Sequence, residues 1–130
     1  MKYFIMFTVL FVFGLNHAYA DHHAVKVAKN DALGSFLTDT KGMTLYYFKK
    51  DAPGKSMCAG DCATKWPIYY REKVAPKDGL KLEDFGEITR EDGKKQSTYK
   101  QMPLYYFFKD TKAGEASGQG VNSVWYVVAP

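Results

Sequence analysis

The sequence predicts an all-β fold, a compact antiparallel sandwich or barrel built from two pseudo-symmetric repeats, with one short helical turn near its cysteine pair. Three observations carry that expectation. First, the phrase Met43-Thr-Leu-Tyr-Tyr-Phe-Lys-Lys-Asp51 returns 59 residues later as Met102-Pro-Leu-Tyr-Tyr-Phe-Phe-Lys-Asp110, with seven of nine positions identical. The same offset superposes Gly34 on Gly93, Lys41 on Lys100 and Trp66 on Trp125. One copy is too small to bury a core alone, and two copies are too few for a propeller or a solenoid. Second, rings and β-branched neighbours cluster at Tyr46 to Phe48, Trp66 to Tyr70, Tyr105 to Phe108 and Trp125-Tyr126, which favours strands. Third, no long helical periodicity interrupts the short alternating runs.

The elements follow in order. Met1-Lys2, an apolar run from Tyr3 to Leu15 and the small-x-small sequence Ala18-Tyr19-Ala20 read as a secretory leader cleaved before Asp21. That leaves 110 residues (130 minus 20), a single domain at 21–130 with no transmembrane segment. Repeat 1 covers about 30–70, a connector about 71–85, and repeat 2 about 86–130. Val25 to Ala28 alternates as a strand, and Gly34 to Asp39 is its hairpin partner across Asn30-Asp31. Met43 to Phe48 is the third strand, with Leu45 and Tyr47 on one face and Tyr46 and Phe48 on the other. Asp51-Ala-Pro-Gly54 ends it as a turn. Asp61 is placed to cap one helical turn that Pro67 stops, and Ile68 to Tyr70 forms a short strand. The charged connector, with Pro76 and Asp78-Gly79, belongs on the surface. Repeat 2 runs Gly86 to Arg90, a turn at Glu91-Asp-Gly93, Gln96 to Tyr99, then Met102 to Phe108. The small-residue loop Ala113 to Gly120 stands where repeat 1 has its cysteines, and Val124 to Val128 closes the chain.

Tyr46-x-Phe48-x-x-Asp51 and Tyr105-x-Phe107-x-x-Asp110 both match the Y-x-(F/W/Y)-x-x-D motif of a predicted-lipoprotein family, also described as a secreted repeat of unknown function. Gly54-x-Ser56-x-Cys58-x-Gly60-x-Cys62-Ala63-x-x-Trp66-Pro67 and Gly118-Gln-Gly120 with Trp125 resemble the same family, so the likeness covers about residues 34–130. It implies a fold and an exported address, periplasmic or extracellular, and the family brings no assigned activity. Many members carry a lipobox cysteine after the leader. Here Ala20 is followed by Asp21, so no lipid anchor is expected.

The candidate chemistry is sparse. Cys58 and Cys62, four apart in an exported chain, are expected to pair as a loop staple worth about 2 kcal/mol by chain entropy. A redox-active pair is the alternative, although the spacing is not C-x-x-C and no His stands beside it. Asp51 and Asp110 each open a turn in which the carboxylate can accept backbone N–H groups; a shared acidic or metal site is the competing possibility. Tyr46, Phe48, Tyr105 and Phe107 read as core and cross-strand packing, or, if exposed together, as a platform for sugars or a partner. After leader removal the only imidazoles are His22 and His23, which excludes Ser-His-Asp or Cys-His nucleophiles and a multi-His zinc site. A terminus beginning Asp21-His22-His23 can hold Cu(II) or Ni(II) through its amine, two amides and the third-position imidazole; no other cofactor is expected. Net charge after leader loss is +3 (17 basic, 14 acidic), nearly all the cations are Lys, and nucleic acid is not an expected partner. The expectation is a non-enzymatic envelope module that binds an envelope protein or a small ligand, or serves structurally. Copper or nickel binding, thiol-disulfide exchange and glycan binding are the alternatives.

Overall fold

The computed structural model describes residues 22–130. The leader 1–20, its cleavage point and Asp21 lie outside the described residues. In chain order the elements are β1 (Ala24–Asn30), β2 (Gly34–Thr38), β3 (Tyr46–Phe48), helix α1 (Asp61–Lys65), β4 (Ala75–Pro76), a 3-10 turn (Leu82–Asp84), β5 (Phe85–Thr89), β6 (Lys95–Tyr99), β7 (Met102–Pro103), a second 3-10 turn (Val121–Ser123) and β8 (Trp125–Val127). They form three small sheets, ordered β2-β1-β4, β3-β8 and β5-β6-β7, and no closed barrel is found among the described residues.

Each repeat begins with a hairpin. In the first, the Asn30 side chain accepts the Leu33 N–H at 2.7 Å, and Gly34, at φ +70°, makes the left-handed step that brings β2 back against β1. In the second, Gly93 at φ +83° does the same between β5 and β6. The two glycines are not equivalent in pairing. Gly34 faces Asn30, whereas the residue bonded across the second turn from Arg90 is Lys94. The hairpins therefore correspond at an offset of 60 and the later strands at 59, because the turn at Asp39 to Met43 has one residue more than the turn at Tyr99 to Met102.

The closing segment of each copy hydrogen-bonds to the other copy. Val128, at the end of repeat 2, accepts from Leu37 N and donates to Leu45 O of repeat 1; Tyr69, at the end of repeat 1, accepts from Ser97 N and donates to Leu104 O of repeat 2. At the centre the chains cross: Tyr46 N donates to Tyr105 O at 2.8 Å and Tyr105 N to Tyr46 O at 2.9 Å. The pseudo-two-fold axis passes between these two tyrosines.

Strand alternation then sorts the side chains into two cores. Leu45 and Leu104, with Tyr47 and Tyr106, face an aliphatic cluster built on Val25, Leu37, Tyr69, Tyr99 and Val128. Tyr46, Phe48, Tyr105 and Phe107 face an aromatic cluster with Trp66, Trp125 and the cysteines. Three local expectations are corrected. The connector is not only surface, since Ala75 and Pro76 lie parallel to β1, the one parallel pairing among these strands. The helical turn is entered from Gly60 with no side-chain cap, so Asp61 is its first residue and not its cap. Ile68 to Tyr70 contributes a single bridge, from Ile68 to Tyr105, in place of a strand.

Gly118 marks the closest packing in the molecule's centre. A Cβ placed there would meet Trp66 Cη2 at 2.7 Å and Tyr46 Cε1 at 2.9 Å, and both rings are buried. Gly118→Ala is therefore expected to cost about 1–3 kcal/mol of stability, read as a lower urea midpoint at unchanged slope. A variant as stable as wild type would show that the rings can give way.

Candidate functional site

Both copies of the repeated motif converge on one centre. Phe48 ends β3, whereas Phe107 lies beyond β7, which stops at Pro103 and leaves only isolated bridges at Tyr105 of the strand expected over Met102 to Phe108. Asp51 N and Asp110 N return to Phe48 O (3.0 Å) and Phe107 O (3.1 Å), which fixes each aspartate at the start of a turn. The carboxylates then reach across the pseudo-two-fold. Tyr46 Oη donates to Asp110 Oδ2 at 2.5 Å, and Tyr105 Oη donates to Asp51 Oδ2 at 2.6 Å. The second oxygen of each carboxylate accepts a main-chain N–H: Met57 to Asp51 at 2.6 Å and Ser117 to Asp110 at 2.9 Å. The turn role expected from the sequence is present, and the exchange of partners between copies was not expected.

The two tyrosine hydroxyls differ in their further contacts. Tyr46 Oη accepts Gly118 N–H at 3.1 Å, whereas Tyr105 Oη lies 2.6 Å from Ser56 Oγ. Arg90 Nη1 donates to Ser56 Oγ at 2.7 Å and to Gln96 Oε1 at 2.8 Å, Arg90 Nη2 donates to the Cys58 carbonyl, and Arg90 Nε meets Asp92 Oδ2 at 3.2 Å. Gln96 passes the chain on through Nε2 to Leu104 O at 2.8 Å. Burial of a guanidinium is costly without partners on every N–H face, and here the cysteine loop of repeat 1 and the hairpin of repeat 2 supply them. Sequence reasoning passed over Arg90. The available signal was its rarity: it is one of two arginines after the leader, at the hairpin position where repeat 1 has Asn30.

Around these polar pairs the rings stack in one column. Phe107 lies on Trp66 (centroids 4.3 Å apart, 28° between planes), Trp66 on Trp125 (3.8 Å, 3°) and Trp125 on Phe48 (4.3 Å, 9°). Tyr46 and Tyr105 meet Trp66 and Trp125 edge-on at 5.3 and 5.0 Å. Such pairs each add about 0.5–1.5 kcal/mol beyond the area they bury. Tyr46 and Tyr105 are fully buried and Phe107 nearly so, which places the motif rings in the interior and not on an exposed platform. Burial and the hydrogen bond to Asp110 push the Tyr46 hydroxyl pKa upward, and burial with Asp51 does the same for Tyr105.

The remaining candidates lie elsewhere. Cys58 and Cys62 form a disulfide, with Cys58 buried in the aromatic cluster. His22 and His23 sit at the entry to β1 with ring centroids 5.3 Å apart, and His23 O accepts Ala75 N–H at 2.9 Å. Among the described residues no group of three or more His, Cys, Asp or Glu is arranged to hold a metal ion, and no helix is long and apolar enough to cross a membrane.

These features define the class: a two-repeat, β-rich domain whose copies share one aromatic and carboxylate centre. The family model described as a secreted repeat of unknown function matches the chain twice, over residues 27–69 and 86–129. The chain belongs to that family. Its description as secreted agrees with an exported protein. No curated protein and no solved structure matches the chain.

Two predictions follow from the hydrogen bonds. Tyr105→Phe leaves Asp51 and Ser56 short of a partner and should cost about 1–3 kcal/mol. Tyr69→Phe should cost nothing or stabilise, because the Tyr69 hydroxyl is buried with no hydrogen-bond partner among the described residues. Urea midpoints for the two variants in the opposite order would contradict this assignment. The second concerns Asp51, whose carboxyl burial raises above the ordinary value of 3.8, with Tyr105, Met57 N–H and Arg90 offsetting only part. The folded state thus keeps a proton that the unfolded chain releases earlier, so this group's contribution is greatest below 3.8 and declines as pH rises through the raised value. The stability of wild type relative to Asp51→Asn should accordingly fall with rising pH across that window. Urea midpoints of both proteins through the acid range measure it, and a flat or rising difference contradicts it.

Proposed function

We propose that the chain is a non-catalytic module of the cell envelope, acting by binding an envelope protein or a small ligand or by structural support, without a lipid anchor. One observation carries the reading. The polar groups of the repeated motif are used up on one another and on the main chain: Tyr46 with Asp110 and Ser117 N–H, Tyr105 with Asp51 and Met57 N–H. General acid–base or nucleophilic work needs a group in hydrogen-bond reach of a substrate, and these face the interior. The stacked rings and the Cys58–Cys62 bridge likewise favour a rigid scaffold over a reaction centre.

The test is turnover of chromogenic ester, phosphate-ester and glycoside substrates by the purified protein. No rate above buffer is expected. Activity that disappears in Asp51→Asn or Asp110→Asn, with far-ultraviolet circular dichroism unchanged, would overturn the proposal.

A further inference from the structure

The two ends of the ring column are built differently. At the Phe48 end, the 59-residue correspondence places Cys58 and Cys62, and the bridged cysteines and Ala63 pack into the aromatic cluster. At the Phe107 end the corresponding positions are Ser117 and Val121, and a cavity of about 290 Å³ lies there. Trp66 and Phe107 form part of its wall, which is thus the end of the stacked column itself. The positions that hold the bridge in the first copy line an opening in the second.

The rim of the cavity has the marks of a ligand site. Phe108 lines it and is 49% exposed, one of three large apolar side chains so presented among the described residues. Lys65 and Lys109 flank it, and Lys109 Nζ stands 5.6 Å from the Phe108 ring centroid. Among the described residues neither lysine has an ion-pair partner; the ion pairs there are Arg90–Asp92 and Lys95–Glu87. The adjacent Asp110 carboxylate is turned inward to Tyr46 and Ser117 N–H, so it does not neutralise the pair. Asn122, on the rim, and Ser123 hold consecutive left-handed conformations at φ 54° and 59°, without being glycine. Ser123 N–H to Gly120 O at 3.0 Å and Tyr126 Oη to Ser123 O at 3.0 Å hold them there. Backbone strain of this kind is concentrated at ligand clamps.

We propose that this cavity binds a small aromatic carboxylate, its ring against Phe108 and the wall formed by Phe107 and Trp66 and its anion between Lys65 and Lys109. The volume suits a single ring. Apolar and aromatic walls with a few convergent polar groups recognise a flat apolar body, and two unpaired ammonium groups select a negative charge over a neutral isostere. The proposal deepens the module reading and rests on it only in treating the site as one of binding.

Fluorine NMR of 4-fluorobenzoate titrated with the protein tests it, with 4-fluorobenzamide as the neutral comparison. Saturable broadening is expected for the carboxylate, at least tenfold weaker for the amide and for the Lys65→Gln/Lys109→Gln double variant, and lost in Val121→Phe, which fills the cavity. No saturable effect, equal binding of the amide, or wild-type binding by either folded variant would overturn it. The lysines are exposed, so that double variant keeps the test decisive if Val121→Phe fails to fold. Conversion of the probe to a new resonance would instead sink the non-catalytic reading, which separates the two failures.

Discussion

The fold depends on one crossing. Where Tyr46 and Tyr105 exchange main-chain hydrogen bonds, each side chain is carried into the other copy's half and finds the carboxylate it needs there. A phenol buried in an aromatic cluster requires a hydrogen-bond partner, and so does a carboxylate desolvated beside it. Each phenol meets the other copy's carboxylate and not its own. The same crossing sets Trp66 on Trp125 and positions the phenylalanines at the two ends of the column. Polar satisfaction and ring stacking therefore impose the same arrangement, and a shift of either strand would lose both together.

Much of this was legible in the chain. The duplication, both hairpins, the two-faced strand, which the structure forms over Tyr46 to Phe48 and not from Met43, and the helical turn ended by Pro67 follow from local rules of alternation and turn chemistry, which are written in neighbouring residues. The pairing of Cys58 with Cys62 was legible for the same reason. The cross-repeat tyrosine and aspartate contacts were not, because alternation assigns a side chain to a face and says nothing about which copy lies opposite. Arg90 was missed since a guanidinium beside a hairpin turn reads as exposed until a second loop closes over it. Pro76, expected in a surface connector, pairs with β1 because a sheet edge tolerates proline. The one-residue difference between the turns at Asp39 to Met43 and Tyr99 to Met102 hid the true register of the hairpins, because an ungapped slide of the sequence against itself gives a single offset.

Approximate symmetry also locates where the molecule has been free to diverge. Positions on the axis are held by partners in both halves, so Tyr46, Tyr105, Trp66 and Trp125 constrain one another. Beyond the column's ends the copies separate: a bridged helical turn on one side, and on the other a glycine-rich loop that approaches Trp66 through Gly118 and opens beside Lys109. A scaffold that is rigid at its axis can carry unlike ends at little cost to the centre.

The exchange of closing segments has a thermodynamic corollary. Two separate units with these contacts would have to meet in solution, and their stability would depend on how much of each was present. Here the connector from Arg71 to Asp84 ties them, so the encounter takes place within one chain at an effective concentration fixed by a short tether. Linked halves keep the same folded fraction at any dilution, and the tether, not the ring column, is what makes that so.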